Sequence, residues 1–349
     1  MIRRTTAWAA AVLLTLSGCT AGGAVAAAPA RPEGVQPPED KVNNALSCLV
    51  RRSFAPSDVR PPKLAGGKLI AGVDLSDTTM SHWNATSHQF EGFNIDLLLA
   101  VARSLWPGAD PRDKITFRAV PPGTGALAQL DPAHAQHVDV VATSLTATCE
   151  RAALAYFSTD YLDSGQTALV RRVPGIGSPA VRPEFAGMEQ LGGRRVCAPR
   201  LTTSLAAIRR YRTASGQALV PVQTEHSIDC LVMLRQGQVD AASTDENILR
   251  GFAELAPDTI LVTDPPREPS CAYNVTKTGC TWFTDEPHAF AFSRGDEPLV
   301  RYFNYVLQGM RATPGGKFGE WGRAHDEWLS MHPDEGMPDA GPSVAVWPW

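Results

Sequence analysis

Short β-branched runs alternate with apolar stripes at helical spacing along most of the chain. Residues 68–73 predict a strand ending at Asp74, and 95–105 a helix with Asn94 as its N-cap. A second strand is expected at 115–120, a short helix at 125–130 and a third strand at 138–143. Strands that alternate with helices imply a parallel sheet with crossovers. Residues 166–171 read as a strand leading out of this first unit, and 172–190 as a linker and turn region. A second unit follows, with a strand at 195–198 and a helix to about 211 capped by Thr202 or Thr203. It continues with a helix at 228–236, a strand at 239–243, a helix at 246–255 and a strand at 260–262. Residues 288–292 read as a return strand, and helices at 298–310 and 318–329 close the first unit with Trp321 and Trp328 as packing residues. Two α/β units joined by two crossings make a hinged clamshell. Ligands of such sheets sit at the carboxyl ends of strands.

The two ends of the chain are different. Arg3 and Arg4 precede an apolar run at 7–16 that is too short to span a bilayer. Leu16-Ser17-Gly18-Cys19 matches a bacterial lipobox, in which the chain is cut before the cysteine and its thiol takes diacylglycerol. The expectation is a signal peptide at 1–18 and a lipid anchor at Cys19, on the extracytoplasmic face of a bacterial cell membrane. Residues 19–62 read as anchor and tether, 63–168 with 286–332 as one lobe, 169–285 as the other, and 333–349 as a loose tail rich in Pro and Gly.

The chain carries 32 Lys and Arg against 36 Asp and Glu. Loss of Arg3 and Arg4 leaves it more acidic still, and no basic block is present, so nucleic acid is not an expected partner. A chain of 349 residues holds two core-bearing units. Of the seven cysteines, those other than Cys19 are even in number, which outside the cytoplasm suggests disulfides. Sequence does not settle their connectivity. The expected pairs are Cys197–Cys230 and Cys271–Cys280, which leaves Cys48–Cys149. There is no CxxC and no histidine cluster, so no metal is expected.

The chemistry concentrates at strand ends. Hydroxyls at Ser144, Thr146 and Thr148 precede Glu150-Arg151, so donors at a strand end stand beside a guanidinium that can fork onto a carboxylate. The strand near 239–243 runs on to a carboxylate, Asp245. An anion half-site and a cation half-site suit a zwitterion. Arg200 is a candidate for an acidic ligand side chain, and Trp83 for a platform under the ligand. No nucleophile elbow, HExxH or phosphate loop is present, so neither catalysis nor a cofactor is expected.

Five segments taken in order resemble one family. They are Gly92-Phe93-Asn94-Ile95-Asp96-Leu97, Ser144-Leu145-Thr146-Ala147-Thr148-Cys149-Glu150-Arg151, Phe157-Ser158-Thr159-Asp160-Tyr161, residues 239–245, and Glu286-Pro287-His288-Ala289-Phe290-Ala291-Phe292. They resemble family 3 extracellular solute-binding proteins, the polar amino-acid receptors of ABC importers. The cysteine contexts resemble those of glutamine/glutamate-type binding lipoproteins. The resemblance implies a periplasmic-binding-protein-like (type II) α/β fold, with two lobes joined by a two-strand hinge, in a monomer. It implies that Arg151 grips the ligand's α-carboxylate, with Ser144 and Thr146 adding backbone and hydroxyl contacts. Thr203 would donate an N–H from a helix N-terminus, Asp245 would take the α-ammonium, and Asp74 would be a first-strand acid at the ligand. The implied ligand is glutamate, glutamine, aspartate or asparagine, presented to an ABC permease. Relatives that signal through a membrane sensor, or that act as cyclohexadienyl dehydratases, supply the alternative readings. The chain departs from the pattern in three places: Leu201 stands where the family usually has glycine, His288-Ala289 alter the last segment, and 265–284 read as an insertion.

Overall fold

The computed structural model describes residues 50–53, 59–175, 181–262, 284, 286–312, 319–329 and 344–347. In chain order the first elements are β1 (Val50–Ser53), β2 (Leu69–Val73), β3 (His82–Asn84), β4 (Gln89–Glu91), α1 (Phe93–Leu105), β5 (Ile115–Ala119), β6 (Val140–Ala142), α2 (Cys149–Ala152) and β7 (Tyr156–Phe157). Next come β8 (Gln166–Pro174), β9 (Val181–Pro183), β10 (Arg195–Pro199), α3 (Thr203–Arg210), β11 (Val220–Thr224), α4 (Ser227–Arg235), β12 (Ala241–Asp245), α5 (Glu246–Leu255) and β13 (Thr259–Leu261). The last are β14 (Ala291–Phe292), α6 (Glu297–Ala312), α7 (Gly319–Leu329) and β15 (Val344–Trp347).

These strands build two sheets and a small β3–β4 ribbon. The first sheet has the order β1-β15-β7-β14-β6-β2-β5, with β2 parallel to both β5 and β6. The second has the order β11-β10-β12-β8-β13, with β10 parallel to β11 and β12 and with β9 hydrogen-bonded to β8. Each sheet has its own core. On the first, Phe93, Leu97 and Val101 of α1 pack with Phe303, Leu307 and Trp321, and a second cluster around Val141, Leu145 and Phe157 is distinct from it. On the second, Leu205 and Ile208 of α3 join Val196 and Ala241, while Leu231, Leu234 and Phe252 form a separate cluster. Each buried Leu or Phe contributes about 1.5–3 kcal/mol. No residue of the first sheet's clusters belongs to those of the second, so each lobe has apolar burial of its own.

Two crossing segments link the sheets, and they pair with each other. Ser158 N–H donates to Phe290 O, Tyr161 N–H to His288 O, His288 N–H to Leu162 O and Glu286 N–H to Ser164 O, at 2.8–2.9 Å. This is the two-strand hinge of a periplasmic-binding-protein-like (type II) fold. The outgoing strand β8 already lies in the second sheet at Gln166, a little before the boundary expected at 168.

Several sequence expectations are corrected. Gly92, with φ 128°, is the N-cap of α1, and Asn94 is not. A Cβ on Gly92 would lie 2.5 Å from Met80 O, so only glycine fits there. Asn94 is instead buried inside the helix and donates Nδ2 to Ala142 O at 3.3 Å. The tail expected to be loose contributes β15, and the expected tether contributes β1. These two strands pair antiparallel, and β15 also pairs with β7. The β3–β4 ribbon and β11 had no counterpart among the expected elements. Cys197 and Cys230 are bonded, tying β10 to α4. Cys149 is also disulfide-bonded. Cys19, Cys48, Cys271, Cys280 and the insertion's 265–283 lie outside the described residues. Among the described residues, no helix is long and apolar enough to cross a membrane.

Candidate ligand-binding site

The strand end after β6 is shaped by its own backbone. Ser144 takes φ 51°, an uncommon conformation for a residue with a side chain. The chain then lies along the returning hinge segment: Ala147 N–H donates to Pro287 O at 3.0 Å, and Ala289 N–H to Leu145 O at 3.1 Å. Thr148 caps α2 by accepting from Arg151 N–H at 3.2 Å. This single turn carries Arg151 into the interior, where the residue is only 4% exposed. Its Nη1 donates to Thr146 O at 2.7 Å and its Nε to Thr124 Oγ1 at 3.4 Å. Burial lowers its pKa from the ordinary arginine value, opposed by the charges of Glu286, Asp245 and Glu150.

The second lobe supplies the facing groups. Thr202 is the N-cap of α3 and accepts from Leu205 N–H at 3.1 Å. That leaves Thr203 at the first turn, with its hydroxyl 3.3 Å from Thr146 Oγ1 of the other lobe. Asp245 ends β12 and begins α5, yet its side chain does not cap the helix. Its Oδ2 is 2.9 Å from His288 Nε2, while its Oδ1 has no hydrogen-bond partner among the described residues and the residue is 4% exposed. An orphaned carboxylate oxygen in a buried position is costly unless something else meets it.

More acid lies alongside. Thr146 Oγ1 donates to Glu286 Oε2 at 2.6 Å and Thr284 Oγ1 to Glu286 Oε1 at 2.7 Å. Burial first, and the charge of Asp245 second, push the Glu286 pKa up to about 7. Ser144 Oγ donates to Asp77 Oδ2 at 2.9 Å. Burial, then the charge of Asp74, raises Asp77 to about 7 as well. Asp74 ends β2 and accepts from the N–H and hydroxyl of Ser76 at 2.9 and 2.7 Å. Its pKa is raised by burial and lowered in part by His226, which stands at the start of α4 in the other lobe.

Asp74, Ser144, Thr146, Arg151, Thr203 and Asp245 are therefore connected, through Asp77, Glu286 and His288, by hydrogen bonds and neighbouring charges where the two lobes meet. Arg200 and Trp83 are not. Arg200 is committed to Glu225 at 2.6 Å on the surface. Trp83 is 48% exposed in the β3–β4 ribbon, with its ring edge-on to Phe90 at 5.0 Å. Sequence reasoning passed over Asp77 and Glu286 as site residues, and singled out His288 only as a departure in the last family segment. A second Asp three positions after Asp74, in the same strand-end loop, was a signal for the first. Glu286 and His288 become site residues only because the return crossing packs against the 144–147 segment.

The lobes also touch through backbone. Thr124 N–H donates to Leu201 O at 3.0 Å. A Cβ on Gly123, whose φ is 64°, would lie 2.2 Å from that same oxygen. Leu201 itself has φ 61°, so the loop keeps a glycine-like turn without a glycine.

The fold is that of a two-lobed α/β protein with charged groups from both lobes buried where the lobes meet. The chain belongs to the bacterial extracellular solute-binding proteins, family 3, which it matches over residues 69–331. It is similar to the ABC transporter glutamine-binding protein GlnH of Bacillus subtilis (strain 168), with 26% identity over 269 residues covering 77% of this chain and 83% of that protein. Among solved structures it resembles an ancestral arginine-binding protein bound to arginine, with TM-score 0.58, 22% identity, and coverage of 75% of this chain and 98% of the other. It also resembles the ancestral amino acid-binding protein AncCDT-1, a precursor of cyclohexadienyl dehydratase, with TM-score 0.55, 24% identity, and coverage of 75% and 96%. The two structural likenesses concern the fold.

Proposed function

We propose that this protein is a lipid-anchored extracytoplasmic receptor that binds a polar amino acid (glutamate, glutamine, aspartate or asparagine) and presents it to an ABC importer. Cys19 carries the anchor, and residues 63–168 with 286–332 close on residues 169–285. The α-carboxylate docks on Arg151, with Ser144 and Thr146 beside it. The second lobe then swings in, bringing the Thr203 N–H to the carboxylate and Asp245 to the α-ammonium.

The observation that carries this reading is the pairing of Arg151 with Asp245. They come from opposite lobes, both are buried, and the charge of Asp245 is among those that hold the Arg151 pKa up against burial. The Oδ1 of Asp245, buried and with no hydrogen-bond partner among the described residues, supports an ammonium there. Family membership and the similarity to a glutamine-binding protein support the ligand class. Each charge-assisted contact adds about 1.5–3 kcal/mol net. Three or four of them, less the ordering cost, correspond to a dissociation constant of about a micromolar, or about 8 kcal/mol. The ligand favours the closed form because only that form joins both half-sites. Calorimetric titration of the common amino acids into the wild-type protein and into Arg151→Ala tests the site, and full affinity retained by the variant would overturn it.

A further inference from the structure

Asp245 stands at the N-cap of α5 with φ −64° and ψ 141°, the extended backbone of an ordinary cap residue. An aspartate there normally turns its carboxylate onto the open N–H groups of the first helical turn. Asp245 does not. Its side chain makes no cap bond, and its Oδ2 lies 2.9 Å from His288 Nε2 instead. The cap that this residue type and this backbone favour is given up, and the ring of His288 is what the carboxylate meets in its place.

His288 is itself fixed by the hinge. It is fully buried in the return crossing, its N–H donates to Leu162 O, and its carbonyl accepts from Tyr161 N–H, both at 2.8 Å. Its backbone also bridges to Thr146. The flanking Pro287 and Ala289 bond Ala147 and Leu145, in the segment that leads to Arg151. One residue therefore has its backbone against the segment of the guanidinium and its ring against the acid of the other lobe. The ring packs edge-on to Tyr161, with centroids 6.3 Å apart. Its Nδ1 has no hydrogen-bond partner among the described residues, so the polar contact of the ring is the one with Asp245. That contact selects the tautomer. A proton on Nε2 gives a donor to the carboxylate and leaves Nδ1 as a bare acceptor. The opposite tautomer sets a lone pair against a carboxylate oxygen and buries an unpaired N–H.

We propose that His288 is a positioning residue of the binding site: its Nε2–H draws the Asp245 carboxylate off the N-terminus of α5 and sets Oδ1 for the ligand's α-ammonium, at a spacing from Arg151 that the hinge backbone fixes. The inference rests on the receptor reading above and deepens it. Without the ring, Asp245 falls back to capping α5, and the helix gains a bond that the ligand loses.

The test is calorimetry on the full chain, at constant pH, with its best-binding amino acid and with the deaminated acid of the same compound. The proteins are wild type, His288→Leu and His288→Gln, with ligand-free melting curves to show that each is folded. In His288→Leu the amino acid should lose roughly tenfold or more in affinity, because one charge-assisted contact is gone, while the deaminated acid binds as it does to wild type. His288→Gln, whose amide N–H reaches toward the same oxygen, should recover most of the loss. Unchanged affinity for the amino acid in folded His288→Leu overturns the inference. So does an equal loss for both compounds, which is what a merely structural role would give. In either case the receptor reading stands as long as wild type binds an amino acid and Arg151→Ala does not. Binding of no amino acid by wild type overturns both. Imidazole nitrogen resonances of the unaltered protein supply a check that no variant can spoil by misfolding: a proton on Nε2 of His288 is expected, and a ring protonated on Nδ1 alone overturns the inference.

Discussion

Replacing Asp245 by Asn is the most informative single perturbation of the site. The substitution keeps the shape of the side chain and removes its charge. Oδ2 rests 2.9 Å from His288 Nε2, and Oδ1 meets no donor among the described residues, so the side chain has hydrogen-bonding capacity to spare. If that capacity belongs to an α-ammonium, the variant loses one charge-assisted bond of about 1.5–3 kcal/mol. At about 1.4 kcal/mol per decade, that is a loss of roughly tenfold to a hundredfold in affinity. The ligand-free protein should respond in the opposite sense. An unpaired buried carboxylate oxygen costs about 1–3 kcal/mol, and the charge of Asp245 also helps to push Glu286 up to about 7. Thermal melts should therefore show Asp245→Asn at least as stable as wild type without ligand, and less stabilised when ligand is added. Unchanged affinity in a folded variant would refute the reasoning, because it would make the orphaned oxygen irrelevant to binding.

Four further outcomes follow from named contacts. Gly123→Ala should weaken ligand binding more than tenfold, because its Cβ would lie 2.2 Å from Leu201 O where the lobes meet; calorimetry reads this, and undiminished affinity would show that this contact is not needed for closure. Leu201→Gly removes a left-handed non-glycine residue and should raise stability by about 1 kcal/mol in a denaturant melt, while a loss would mean that the side chain's packing outweighs the strain. Removing the Cys197–Cys230 bridge, which joins residues 33 apart, should cost about 3–4 kcal/mol under the chain-entropy account, measured by comparing the double Ala variant with wild type. Asp77 and Glu286 bind protons more tightly folded than unfolded, so their contribution to stability falls as pH rises from their ordinary values of 3.8 and 4.5 through about 7, and is flat above. Ligand-free melts of wild type against Glu286→Gln between pH 4.5 and 8 should show the variant gaining on wild type across that window, and a constant difference would remove Glu286 from the titration.

Much of this architecture was legible along the chain. The helix at 246–255 coincides with α5, because an apolar stripe between a strand-ending Asp and Leu255 leaves little choice of phase. The strands β2, β5, β6, β8, β10, β12 and β13 coincide with expected strands, whereas β1, β7, β11 and β15 do not; the short β3–β4 ribbon was missed because its residues are polar or partly exposed and carry no core-facing alternation. The N-cap of α1 was misassigned because Asn is a favoured cap. The tight approach of Gly92 to Met80, a tertiary constraint, decided the start of the helix instead. At the tail, Pro and Gly content pointed to disorder, while the open edge beside β7 accepts β15 as a neighbour. At the site, the strand-end donors and Arg151 could be read locally. Asp77, Glu286 and His288 could not, because their roles come from three distant segments meeting at the hinge.

The central claim is that one guanidinium and one carboxylate, held on opposite lobes, grip the two ends of a single amino acid. It is tested most directly with the unaltered protein, by calorimetric titration of its best-binding amino acid against the α-methyl ester and the deaminated acid of the same compound. The account requires the parent compound to bind, and each analogue to lose roughly tenfold or more, because each forfeits one of the two charge-assisted contacts. Equal affinity of all three would contradict it.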